Sequence, residues 1–152
     1  LREQGVRVKI MGERSRFSKE VLDMIAYIEE TTADAERLTL VLAFNYSSRR
    51  EITLGVQDIA RRVANGTLKT EDINEQTIAE SLMTAQMPDP DMIIRTSGEC
   101  RLSNFLLWQS SYAEFYFPDT LWPDFTEEEF DKAIEVFSKR DRRYGLVTET
   151  KE

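Results

Sequence analysis

The 152-residue sequence contains no histidine and a single cysteine, Cys100. Without histidine there is no Ser-His-Asp or Cys-His relay and no imidazole for a zinc site. A metal would have to be held by carboxylates and substrate oxygens, which favours Mg²⁺. One cysteine excludes an intrachain disulfide and agrees with a reducing compartment. Long apolar runs are missing too. The longest, near Leu38 to Phe44, falls far short of the roughly 18 residues that span a bilayer. No basic segment leads into an apolar one in the manner of a signal peptide, so a cytoplasmic location is expected. Basic residues are outnumbered, 20 against 28, for a net charge of -8. That balance speaks against nucleic acid as a partner, because a phosphate backbone needs a basic face. A local basic site for a small anion stays compatible with it.

What is present alternates between two periods. Val6, Val8 and Ile10 alternate with Arg7 and Lys9, which predicts a strand. Ser15 or Ser18 can cap a helix carrying Val21, Leu22, Met24, Ile25 and Ile28 to about Thr31. Leu38 to Tyr46 is nearly all apolar and reads as a strand buried on both faces. Ser48-Arg49-Arg50-Glu51 has the form of a capping box, and Ile52, Val56, Ile59, Ala60 and Val63 follow on one stripe. A second helix is expected over Thr70 to Met83, then a rigid turn at Pro88-Asp89-Pro90-Asp91. Met92-Ile93-Ile94 reads as a buried strand, Ser103 to Tyr112 as a helix, and Glu114 to Phe117 as a strand that Pro118 ends. Thr126-Glu127-Glu128-Glu129 resembles another capping box, opening a helix with Phe130, Ala133, Ile134 and Phe137 inward. The order β-α-β-α-α-β-α-β-α predicts an α/β fold, a mainly parallel sheet with helices on both faces. One domain over 1–146 with a polar tail at 147–152 is expected.

The stretch from Asp91 to Glu114 concentrates the chemistry. A strand runs into the polar turn Arg95-Thr96-Ser97-Gly98-Glu99, and a helix is expected to start at Ser103. Ligands of open α/β sheets bind beyond the carboxyl ends of strands, and helix N-termini hold anions. Arg95, Arg101, Thr96, Ser97 and Ser103 supply forked guanidinium donors and hydroxyls. The plainer reading is a solvated loop with a surface ion pair. Glu114 is either a charge at a strand end or a metal ligand. Asp89-Pro90-Asp91 has the D-x-D form of metal-dependent sugar transferases, although proline between the aspartates suits a plain turn. Lys139 to Arg143 complements a helix C-terminus or, if it reaches a site, contacts an anion. Cys100 is an exposed thiol or inert filler.

The run I-I-R-T-S-G-E-C-R-L-S-N-F-L-L-W-Q-S-S-Y-A-E-F-Y-F, with L-W-P-D-F after it, closely resembles the cis-prenyltransferases, of which bacterial undecaprenyl diphosphate synthase is the nearest type. L-A-F-N-Y-S-S-R-R-E-I resembles that family's N-Y-G-G-R-x-E-I segment. V-R-V-K-I-M-G and the terminal R-R-Y-G also have counterparts, so the resemblance covers essentially the whole chain. It implies that Arg95, Arg101 and Ser103 bind the diphosphate of isopentenyl diphosphate, with Leu102 as a backbone contact. It implies Glu114 as a Mg²⁺ site, and Arg143 and Gly145 as a dimer-crossing motif that supports the partner's substrate site. An allylic diphosphate co-substrate, a homodimer, a cis-polyprenyl diphosphate product for the cell-wall carrier lipid, and at most peripheral membrane contact follow from the same resemblance.

Two departures bear on that expectation. Ser47-Ser48 stands where the family has Gly-Gly, at a turn where glycine would permit positive φ. The family's D-G-N-G-R-W phosphate loop, which holds the allylic substrate with Mg²⁺ and opens its N-terminal strand, has no counterpart in the sequence. Neither have the S-x-E-N segment and the helices of the product tunnel. The chain, which begins at Leu1, is therefore expected to be the C-terminal portion of a synthase. The catalytic aspartate and asparagine would lie outside it, and the chain would be inactive alone. A non-catalytic accessory subunit of the same type is the alternative.

Overall fold

The computed structural model describes residues 1–140. The chain falls into two compact units, Leu1–Pro88 and a second from Asp89 onward. The expected tail at 147–152 and the residues Arg143 and Gly145 lie outside the described residues.

In the first unit, strand β1 (Val6–Met11) pairs in parallel with β2 (Leu38–Ala43), in register from Val6 opposite Leu38 to Met11 opposite Ala43. Helix α1 (Lys19–Thr31) makes the crossover. Ser18 is its cap: the Ser18 side chain accepts from the Val21 N–H. Alternation along β1 buries Val6 and Val8 on one face; Met11, at the end of the strand and on the other face, is buried too, and Ile25, Ile59 and Leu82 belong to the same buried set. The edge of β1 away from β2 is closed by the side chains of Glu29 in α1 and of Thr32, its C-cap. The Val8 N–H donates to Thr32 Oγ1 and the Ile10 N–H to Glu29 Oε1, both at 2.9 Å. Side chains that occupy edge donors block pairing with a further strand. Gly12 ends β1 at φ 132, and a Cβ there would lie 1.8 Å from the Phe44 carbonyl oxygen. Only glycine fits so close an approach.

Helix α2 (Ser48–Ala64) and the short α3 (Glu75–Glu80) complete this unit. Ser48 is the first residue of α2 and not its cap, and Glu51 does not close a capping box. Glu51 is instead only 1% exposed. Its Oε1 accepts from the Met83 N–H at 2.9 Å and its Oε2 from the Tyr46 hydroxyl at 2.6 Å. The Tyr46 hydroxyl is also 3.0 Å from Ser48 Oγ. A buried carboxylate needs such partners, and helix position 51 is spent on them. The expected helix over Thr70 to Met83 is shorter. Asn74 leaves the helical region and caps α3 in a reciprocal box with Thr77. β2 is not buried on both faces: Leu38, Leu40, Leu42 and Phe44 are exposed. They lie two residues apart, on one face of the strand.

In the second unit, β3 (Met92–Ile94) pairs in parallel with β4 (Glu114–Tyr116), with Met92 opposite Glu114. Helix α4 (Glu127–Ser138) buries Ala133 completely. Its first turn also lacks the expected box. Glu129 accepts from the Thr120 hydroxyl at 3.2 Å and pairs with Lys132. The helix expected over Ser103 to Tyr112 does not form. Ser103, Asn104 and Leu106 take φ of 47°, 67° and 46°, which a right-handed helix cannot contain. One short 3₁₀ turn, Gln109–Tyr112, remains. Parallel pairing in both units with helices α1 to α4 bears out the α/β class. Among the described residues no helix is long and apolar enough to cross a membrane.

Glu51→Ala leaves the Met83 N–H without its acceptor and the Tyr46 hydroxyl without the carboxylate. It should cost about 3 kcal/mol in urea unfolding. Glu51→Gln, which keeps the shape and one acceptor, should cost about 1 kcal/mol. Acid should also weaken the chain. The Arg50 guanidinium holds Glu13 below the ordinary value of 4.5, and the Thr126 hydroxyl, Lys132 and Lys139 do the same for Glu128, Glu129 and Glu135. Groups depressed in the folded state stabilise it above their unfolded pKa and lose that contribution as pH falls through the folded one. The melting temperature should therefore drop below about pH 4.5, and 1 M salt should flatten the slope because these carboxylates are exposed.

Candidate functional site

The site is built at the carboxyl end of β3. The turn after it is stitched to the chain beyond β4. Arg95 N–H donates to the Tyr116 carbonyl at 3.0 Å, Ser97 N–H to Thr120 at 2.9 Å, and Gly98 N–H to Pro118 at 2.8 Å. Gly98 has φ 64°, and a Cβ on it would meet Asp119 Oδ1 at 2.7 Å. Ser97 has φ 71° without being glycine. Strain of this sort persists where surrounding bonds over-determine the backbone.

From this fixed turn the Arg95 side chain folds back over the loop. Its Nη1 donates to Ser103 Oγ at 2.9 Å and to the Arg101 carbonyl. The Arg95 guanidinium is therefore tied to the Ser103 hydroxyl and to the Arg101 backbone, and no helix start takes part. Arg101 is 62% exposed in its side chain and pairs with Glu99. The Leu102 carbonyl accepts from the Phe105 N–H at 3.1 Å. Among the described residues, the backbone N–H groups of Glu99, Cys100, Arg101, Leu102 and Ser103 make no backbone hydrogen bond. Five successive open N–H groups beside two guanidinium groups and a hydroxyl suit an anion with several oxygens. Cys100 is exposed.

Glu114 stands apart from this group. Its register opposite Met92 puts it at the other end of the strand pair from Arg95. Its Oε2 accepts from Arg140 Nη1 at 2.7 Å, a partner that the sequence reading had placed only in a basic helix end. Among the described residues no group of three His, Cys, Asp or Glu converges as a metal site, the D-x-D pair Asp89 and Asp91 included. One carboxylate still fits a Mg²⁺ that takes its other ligands from phosphate oxygens and water.

In the first unit, the carboxyl ends of β1 and β2 open into a cavity of about 500 Å³ lined by Glu13, Arg16, Asn45, Tyr46, Ser47 and Arg50. Arg50 Nε donates to Glu13 Oε2 at 2.7 Å across it. Ser47 is extended, with φ -154°, and Ser48 is the fully buried start of α2. The Ser47-Ser48 turn thus needs no positive φ; the left-handed residue here is Asn45, at φ 52°.

Comparison with known proteins agrees with these motifs. The sequence model of the Prenyltransf family, undecaprenyl diphosphate synthase, matches residues 1–145. Isoprenyl transferase of Agrobacterium fabrum is 49% identical over 149 residues, 98% of this chain and 60% of that protein. Ditrans,polycis-undecaprenyl-diphosphate synthase ((2E,6E)-farnesyl-diphosphate specific) of Vibrio vulnificus is 44% identical, over 98% of this chain and 59% of that protein. Among solved structures, lavandulyl diphosphate synthase from Lavandula x intermedia, in complex with dimethylallyl diphosphate, superposes with a TM-score of 0.91 at 36% identity. That match covers 94% of this chain and 61% of the other. The chain thus spans about three-fifths of the length of the curated relatives it matches. It belongs to the undecaprenyl diphosphate synthase family of prenyltransferases.

Proposed function

We propose that this chain carries the isopentenyl diphosphate half of a cis-prenyltransferase site. The whole protein condenses isopentenyl diphosphate with an allylic diphosphate into a cis-polyprenyl diphosphate, with undecaprenyl diphosphate as the product. The observation that carries the reading is that Arg95 Nη1 donates to both Ser103 Oγ and the Arg101 carbonyl. It ties the Arg95 guanidinium to the Ser103 hydroxyl and to the backbone of the 99–103 segment, whose N–H groups make no backbone hydrogen bond among the described residues. The relatives' names, isoprenyl transferase and ditrans,polycis-undecaprenyl-diphosphate synthase, support the reaction class.

On this reading Arg95, Arg101 and Ser103 hold the diphosphate while the isoprene end stays free. The C=C bond of isopentenyl diphosphate attacks the allylic carbon. The allylic diphosphate leaves with its bonding electrons, and a proton is lost from the attacking isoprene unit. The exposed Glu99 carboxylate is an exchangeable partner for Arg101, and a diphosphate of higher charge displaces it. Glu114 would be the residue of this chain that holds Mg²⁺, which would supply neutralisation of the diphosphate charge. Arg143 and Gly145 belong to the same proposal, as the motif that crosses to the partner of a cytoplasmic homodimer. The sequence holds no D-G-N-G-R-W block for the allylic substrate.

Two measurements test this. Calorimetric titration with inorganic diphosphate should show binding that Arg101→Ala or Arg95→Ala weakens at least about tenfold. Arg95→Lys should not restore it, since an ammonium is a point donor and not a planar fork. Unchanged affinity in both alanine variants would remove the site. A radiolabelled condensation assay with farnesyl diphosphate, isopentenyl diphosphate and Mg²⁺ should give no product from the 152-residue chain alone. Clear product would show that the allylic site is complete without that block.

A further inference from the structure

We infer that Arg140 is a positioning residue for Glu114. Its guanidinium holds one carboxylate oxygen and leaves the other for a divalent cation bound with a diphosphate. This rests on the reading of Glu114 as the metal carboxylate. Arg140 Nη1 donates to Glu114 Oε2 at 2.7 Å, and no described residue donates a hydrogen bond to Oε1.

Both ends of this bridge stand on fixed backbone. Glu114 opens β4, and its N–H donates to the Asp91 carbonyl at 3.0 Å. Arg140 follows α4 directly, and its N–H donates to the Phe137 carbonyl at 3.1 Å, closing the last turn. The contact spans 26 residues, so it ties the end of α4 to the start of β4. The neighbouring cation, Lys139, pairs with Glu135. The Glu114 side chain is 23% exposed against 45% for Arg140, so the carboxylate is the sheltered partner and the arginine reaches in to it. Carboxylates that ligate metals are held by such outer hydrogen bonds, and losing the holder weakens metal binding roughly 10- to 100-fold.

Two plainer roles for the same contact predict different results. An ordinary surface ion pair would leave metal affinity unchanged. An arginine that merely competes with the metal for the carboxylate would raise affinity when removed. A positioning arginine lowers it.

The test uses the full 152-residue chain, Mn²⁺ and inorganic diphosphate. The readout is broadening of the amide resonances of Ala113, Glu114 and Phe115 as Mn²⁺ is titrated, which also detects millimolar binding. The wild type should show saturable broadening. Arg140→Ala should weaken Mn²⁺ at least about tenfold, with the melting temperature unchanged. Arg140→Lys should recover part of the loss, since one donor and the charge return. Unchanged or tighter Mn²⁺ binding in Arg140→Ala, with binding lost in Glu114→Gln, overturns the role of Arg140 alone. Broadening that is absent in the wild type, or that survives Glu114→Gln, removes the metal reading of Glu114 and this inference with it.

Discussion

The hydrogen bonds from Arg95 to Ser103 and to the Arg101 carbonyl decide the shape of the whole connection between β3 and β4. A parallel crossover is ordinarily carried by a helix. Here residues 95–113 carry it as a loop with one short 3₁₀ turn. Leu106, an ordinary apolar residue at φ 46°, signals the cost, of about 1–3 kcal/mol for a residue held in that region. Charge-assisted hydrogen bonds of about 1.5–3 kcal/mol each offset strain of that size. On the proposed reading the side chain that holds this loop is also an anion donor, so it would link conformation and binding.

The first unit uses the same device with the charge reversed. Glu51 is buried, and its two oxygens join the Tyr46 hydroxyl after β2 to the Met83 N–H after α3. The loop at the carboxyl end of β2 is thereby fixed from below by α2. The edge of β1 is closed by Glu29 of α1 and by Thr32, its C-cap. β2 keeps the composition of a covered strand while Leu38, Leu40, Leu42 and Phe44 remain open to solvent.

Period and caps made most of the elements legible. β1, α1 with its Ser18 cap, β3, β4 and α4 follow from alternation or helical spacing, which are local properties of the chain. The misses share a cause: a side chain used at long range. Glu51 looks like a capping residue because its neighbours fit that pattern, yet its acceptor capacity goes to Met83, 32 residues away. Ser103-Asn104 looks like a helix start until Arg95, eight residues earlier, claims the serine hydroxyl. Of the candidate site, the grouping of Arg95, Arg101 and Ser103 was readable from the motif. The Arg140 partner of Glu114 was not, because nothing in the spacing of α4 indicates that its end returns to β4.

The two charged ends of the candidate site obey one rule. Arg101 is matched by Glu99, and Glu114 by Arg140. Arg95 has no carboxylate partner among the described residues and donates to neutral acceptors, so it is the uncompensated cation of this turn in a chain of net charge -8. Exposed ion pairs of this kind are worth about 0–1 kcal/mol, so exchanging one for a better partner costs little. On the proposed reading a diphosphate would replace Glu99 on Arg101 with more oxygens and more charge, and a divalent cation would join Glu114 on the oxygen that Arg140 leaves open. On that reading the cation and the anion would neutralise one another, and each would make the other's binding less costly in a protein whose overall field repels the anion. On the proposed reading, that mutual neutralisation is what makes a strongly acidic chain workable as a diphosphate-binding one.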